Sequence, residues 1–98
     1  MAKYAILAAT GRIGQLTTRY LLDNSDAELV LFGHNAKQLL AEFAGDRVSF
    51  VDGDLKDEQA LQEAFNGVDA VFLAYVATPD LINPVIKALD ASGVKRLV

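Results

Sequence analysis

The run from Tyr4 to Gly14 narrows the folds open to this chain more than any other segment. The apolar stretch Tyr4-Ala5-Ile6-Leu7-Ala8 reads as a buried strand, Ala9-Thr10-Gly11-Arg12 as a tight turn, and the residues from Ile13 onward as a helix. A strand that turns straight into a helix opens a βα unit, and such units pack as a parallel sheet flanked by helices. The turn also carries chemistry. A helix N-terminus has unpaired amide donors and the positive end of the helix dipole, so an anion placed there is stabilised without a basic side chain. Glycine at position 11 removes the β-carbon that would hold a phosphate off the backbone.

The same alternation continues along the chain. Residues 3–8, 28–32, 48–51, 70–74 and 96–98 read as five strands whose apolar character is nearly continuous, as suits strands covered on both faces. Ile13, Leu16, Thr17, Tyr20 and Leu21 fall on one helical face, which is expected to pack on the sheet, and Asp23-Asn24-Ser25 ends that helix. A second helix is expected over 36–43 with Asn35 as its cap and Gly45 beyond its end, and a third over 56–65 with Asp57 as its cap. Thr78-Pro79 and Asn83-Pro84 both look like helix starts. A helix running from Pro79 would place Pro84 inside it at about 3 kcal/mol. The fourth helix is therefore expected over 84–92, with residues 78–82 as a loop or single turn.

With right-handed crossovers this order implies an α/β doubly wound parallel sheet of order 3-2-1-4-5, cut short within its fifth strand. Ligands of such sheets sit at the carboxyl ends of the strands, beside the reversal between the first and fourth, so residues 8–13 and 74–78 are expected to face one crevice.

Composition limits the alternatives. Ninety-eight residues, 52% of them hydrophobic and 22% charged, make one small globular domain. The absence of cysteine rules out disulfides and thiolate metal sites, and a single histidine rules out histidine-cluster metal sites. A net charge of −4 without a basic stripe argues against nucleic acid as a partner. No signal pattern or bilayer-length apolar run is present, so a cytoplasmic setting with no membrane partner is expected.

Four signals in order carry a family resemblance: Ala9-Thr10-Gly11-Arg12-Ile13-Gly14, Gly53-Asp54-Leu55 after the third strand, Gly67-Val68-Asp69-Ala70-Val71-Phe72 entering the fourth, and Ala91-Ser92-Gly93-Val94-Lys95-Arg96 before the fifth. Across essentially the whole chain it resembles the N-terminal Rossmann part of an atypical short-chain dehydrogenase/reductase, of the NmrA-like NAD(P)-binding group. The family turn is usually GxxGxxG. Here Ala8 stands at its first position, which alanine accepts only where φ is negative.

The resemblance implies a dinucleotide cofactor and places its contacts. Ala8, Thr10, Gly11, Arg12, Ile13 and Gly14 would hold the pyrophosphate. Asp54 would accept from the adenine amine, with Leu55 against the ring. Ala74, Tyr75 and Val76 would floor the ribose and nicotinamide. The segment after the second strand, Gly33-His34-Asn35-Ala36-Lys37, lacks the carboxylate that would favour NAD, so NADP is the expected cofactor, with NAD the alternative and with Arg12 and Lys37 as further charge partners. Blander readings stand beside these. Gly11 and Gly14 would serve tight packing alone, His34 would be an exposed turn residue and Lys37 a solvated helix residue. Asp54 would be a turn or capping aspartate, and Tyr75 an ordinary sheet-end aromatic.

Family members that reduce substrates with a tyrosine acid place a Tyr-x-x-x-Lys pair after the fifth strand. None of the three tyrosines here is followed by lysine four residues on, and no catalytic residue is assigned. The ending inside a strand is expected to mark a fragment and to leave an uncovered sheet face or edge through which the chain self-associates. Three functions follow from the resemblance: the cofactor half of an NADP-dependent oxidoreductase acting on a small carbonyl or enone, a non-catalytic dinucleotide-sensing module, or a degenerate fragment that binds nothing.

Overall fold

The computed structural model describes residues 2–74, 79–94 and 96. In chain order the elements are β1 (Lys3–Leu7), α1 (Arg12–Asn24), β2 (Glu28–Gly33), α2 (Ala36–Leu39), a 3₁₀ turn (Ala41–Phe43), β3 (Val48–Asp52), α3 (Glu58–Phe65), β4 (Ala70–Leu73) and α4 (Pro79–Ser92). The four strands form one parallel sheet of order β3-β2-β1-β4. Of the fifth strand expected over 96–98, only Arg96 is described; its carbonyl accepts from the Val71 amide at 2.9 Å, and the rest lies outside the described residues.

Alternation along β1 and β2 divides the core into two layers. Ala5, Leu7, Val30, Phe32 and Val71 point to the side covered by α3 and α4, where they meet Leu61, Phe65 and Val85. Ile6, Leu29 and Leu31 point to the other side, against α1, α2 and the 3₁₀ turn, where they meet Leu40 and Phe43. The outer strand β3 is only half covered, with Ser49 and Asp52 exposed. Asp57 caps α3 as its position predicts, its Oδ1 accepting from the Gln59 and Ala60 amides at 3.1 and 3.2 Å.

Three expectations about the helices are corrected. The buried row of α1 is Gly14 and Thr18, with Leu21 and Leu22 partly buried beyond them, while Ile13, Leu16 and Tyr20 are 60–66% exposed. The cause is Gly14, which lets the helix press against the preceding turn and so rotates its apolar stripe outward. Thr18 is buried at no cost because its Oγ1 donates to the Gly14 carbonyl at 2.7 Å.

The fourth helix begins at Pro79 and carries Pro84 inside it. Pro84 stands in the second turn, where it removes one hydrogen bond. The longer helix adds Ile82 to the buried stripe of Val85 and Leu89, and that apolar burial outweighs the bond. The second helix is a single α-turn followed by 3₁₀ geometry, and Asn35 precedes it in the left-handed region (φ 56°) without a side-chain cap.

Candidate functional site

The carboxyl ends of β1, β2 and β3 open onto a cavity of about 320 Å³ lined by Ala8, Thr10, Gly33, His34, Gly53, Asp54 and Leu55. Three loops build it. The β1–α1 turn supplies Ala8 and Thr10, the end of β2 supplies Gly33 and His34, and the β3–α3 loop supplies the rest. Thr10 is held in place because its carbonyl accepts from Gln15 Nε2 at 2.9 Å.

Beside the cavity lies the start of α1. Gly11 is its N-cap in extended geometry (φ −75°, ψ 171°), and no side chain caps this end or places an acid in its first turn. The first intrahelical bond runs from the Gln15 amide to the Gly11 carbonyl at 3.0 Å. The amides of Arg12, Ile13 and Gly14 therefore precede the hydrogen-bond ladder, on a corner where residues 11–13 are exposed.

The two turn glycines do different things. A β-carbon on Gly14 would stand 2.5 Å from the Ala8 carbonyl oxygen and 2.6 Å from the Ala9 Cα, so the protein's own packing demands glycine there. A β-carbon on Gly11 would meet only the Ala8 oxygen, at an ordinary 3.4 Å. The packing reading thus holds for Gly14, and the backbone around Gly11 leaves room that no protein atom needs.

Ala8 corrects the expectation of negative φ: it adopts φ 56°. The Ala9 amide must keep the ladder to Phe32 (3.0 Å) while the Gly11 amide turns back onto the Ala8 carbonyl (3.1 Å), and joining these bonds drives Ala8 left-handed. Such a conformation costs an L-residue about 1–2 kcal/mol.

Asp54 is exposed, and its Oδ1 accepts from the Lys56 amide at 2.9 Å, so the turn role expected of it is present alongside its place in the cavity wall. Asn35 and Lys37 lie exposed at the start of α2, outside the cavity lining. Ala74 is buried just past β4, its amide donating to the Leu7 carbonyl at 3.3 Å. Tyr75 and Val76 lie outside the described residues. The wall also contains Gly33 and Gly53, the glycines that open the segments after the second and third strands and to which the sequence assigned no contact of their own. A β-carbon on Gly53 would stand 2.7 Å from Ala60 Cβ and 3.0 Å from the Phe32 ring. The signal available for both was a glycine at a strand's carboxyl end, where backbone must pass closely.

A family of NAD(P)H-binding proteins matches the chain over residues 8–98. The chain belongs to this family. The NAD(P)H-binding chain is 34% identical over 98 residues to the oxidoreductase ordB of Dothistroma septosporum, covering 96% of itself and 36% of that protein. It superposes with a TM-score of 0.93 on a short-chain dehydrogenase/reductase from Veillonella parvula solved in complex with NADP, at 26% identity, covering 98% of this chain and 45% of that one. An NADPH-dependent quinone oxidoreductase from Escherichia coli is 30% identical with a TM-score of 0.75, over 96% of this chain and 33% of that one. The chain spans about a third of the length of the curated relatives it matches. Among the described residues no helix is long and apolar enough to cross a membrane.

Proposed function

We propose that this chain is the dinucleotide-binding part of an NmrA-like oxidoreductase, with NADP(H) as its favoured cofactor. The observation that carries the reading is the uncapped start of α1, whose N-cap Gly11 directly follows Thr10 in the wall of the cavity that Asp54 and Leu55 also line. In this reading the pyrophosphate lies on the amides of Arg12 and Ile13, with Gly11 admitting it to the backbone. The adenosine enters the cavity, its ribose beside His34 and its base beside Asp54 and Leu55. The nicotinamide extends toward Ala74.

Preference for NADP(H) is supported by the lack of a carboxylate after β2, where His34, Asn35 and Lys37 stand instead, with Arg12 across the turn. Bound cofactor supplies the hydride, and the chain's residues bind and orient it. Likeness to a quinone oxidoreductase supports a small carbonyl or enone as acceptor in the whole protein. A sensing module without chemistry is the second reading, which asks of these residues only the binding geometry described above. A cytoplasmic setting belongs to the same proposal. So does self-association of the chain through an uncovered sheet face or edge.

Titration of the purified chain with NADPH, followed by nucleotide fluorescence, tests the reading. Saturable binding below millimolar concentration is expected, and no binding at millimolar NADPH overturns it. The chain alone is expected not to oxidise NADPH when quinones or aldehydes are added; a cofactor-dependent rate would overturn that expectation.

A further inference from the structure

Helix α1 carries an apolar stripe that its own fold leaves unused. Ile13, Leu16 and Tyr20 follow the i, i+3, i+7 spacing of one helical face and are 60–66% exposed, although such side chains gain by leaving water. The other large exposed apolar side chains among the described residues, Leu39 and Ile86, sit singly on α2 and α4. Opposite charges bound the stripe. Arg12 opens α1 and Asp23 stands one residue before its end; both are exposed, and neither is in an ion pair among the described residues. Eleven residues separate them, close to three full turns, so they share the face of the stripe.

We infer that this face of α1 is where two copies of the chain pair, as antiparallel helices about a two-fold axis. An antiparallel copy sets Arg12 beside Asp23 of the second copy at both ends of the seam, with Leu16 between Leu16 and Tyr20 of that copy in the middle. A parallel copy would set arginine on arginine and aspartate on aspartate, with the helix dipoles pointing the same way side by side. Arg19 borders the middle of the seam, where a two-fold brings two of them together, and Glu42 neutralises it at 3.6 Å. The apolar side chains supply the attraction and the charges choose the direction, because exposed ion pairs add little by themselves. Three side chains from each copy make a seam below the roughly 1,200 Å² of a standard interface, so the dimer is weak and forms in concentrated protein. This surface is separate from the sheet-mediated association proposed above, and it does not depend on the dinucleotide reading.

Sedimentation equilibrium of the chain from about 10 μM to about 1 mM tests this, with monomer expected at the lower end and mostly dimer at the upper. Nucleotide is left out, because Ile13 stands at the corner proposed for the pyrophosphate. Leu16→Glu sets two carboxylates in the middle of the seam and is expected to weaken the dimer at least about tenfold. Asp23→Arg opposes arginines at both ends and is expected to weaken it about fivefold, and Arg12→Asp combined with Asp23→Arg to restore it. These positions are exposed, so each variant is expected to keep the parent's circular dichroism and urea midpoint in dilute solution. A dimer that Leu16→Glu leaves intact overturns the inference and assigns the association to the sheet. Failure of the charge exchange to restore pairing overturns the antiparallel arrangement. A parent that stays monomeric at about 1 mM overturns both surfaces.

Discussion

The Ala8 carbonyl oxygen lies 2.5 Å from the point where a β-carbon on Gly14 would stand. This approach seats α1 on the turn that precedes it, and it separates two glycines that look alike in the sequence. Replacing Gly14 by alanine gains up to about 1 kcal/mol of helix propensity but forces backbone apart, which costs about 3 kcal/mol. The clash wins because its partners are backbone atoms that no side-chain rotation can move. Gly14→Ala is expected to lower the midpoint of urea unfolding markedly. Gly11→Val is expected to leave it nearly unchanged while abolishing NADPH binding; if that variant binds as well as the parent, the pyrophosphate assignment is wrong.

Ala8→Gly relieves a left-handed alanine, a gain of about 1–2 kcal/mol, against about 0.4–1 kcal/mol for the greater freedom of glycine in the unfolded chain. A net stabilisation of about 0.5–1 kcal/mol is expected. Thermal unfolding without nucleotide reads it as a rise of a few degrees, and a fall would mean that Ala8 is not strained.

The guanidinium of Arg47 gathers the chain where α1 ends, donating to the carbonyls of Ala27 (3.1 Å), Leu22 (3.2 Å) and Ser25. Arg47→Met is expected to cost about 1–3 kcal/mol, because these are hydrogen bonds from a charged group at a half-buried position. Arg47→Lys should recover little of it, since an ammonium cannot span three carbonyls. Full rescue by lysine in denaturant unfolding would show that only charge matters at this position.

Asp57→Ala removes the acceptor for the Gln59 and Ala60 amides and is expected to destabilise by about 1 kcal/mol. Asp57→Asn keeps an acceptor and should lie within a few tenths of the parent. Equal losses for the two variants in chemical unfolding would point to charge at the helix start instead of capping.

Asp54 bonds the Lys56 amide and lines the cavity, so one substitution should register on two scales. Asp54→Ala is expected to lower stability by at most about 1 kcal/mol and to weaken binding of adenine nucleotides. Unfolding of this variant at room temperature would assign the residue to structure alone.

Much of the architecture was legible because it rests on one-dimensional signals. Strand positions follow from apolar runs, the parallel order from the βα alternation, and the cap at Asp57 from an acid three residues ahead of Ala60. Helix α1 was not legible in the same way. Two stripes compete on it, and the more apolar one, Ile13-Leu16-Tyr20, is the exposed one. Hydrophobicity alone cannot reveal that a glycine and a threonine form the contact row, since that depends on how near the turn passes. Pro84 misled for a similar reason: its local cost was visible, whereas the burial of Ile82 that offsets it exists only once α4 lies on α3.

The order of residues determined the parallel sheet, the turn at the head of α1 and the chemical character of positions 34 and 54, because each depends on periodicity or on side-chain type. Tertiary structure alone decided which glycine serves packing, that Ala8 is held left-handed, and that the ends of three strands enclose a single cavity. Those properties arise from distances between segments far apart in the chain, set when the two layers of helices close on the sheet.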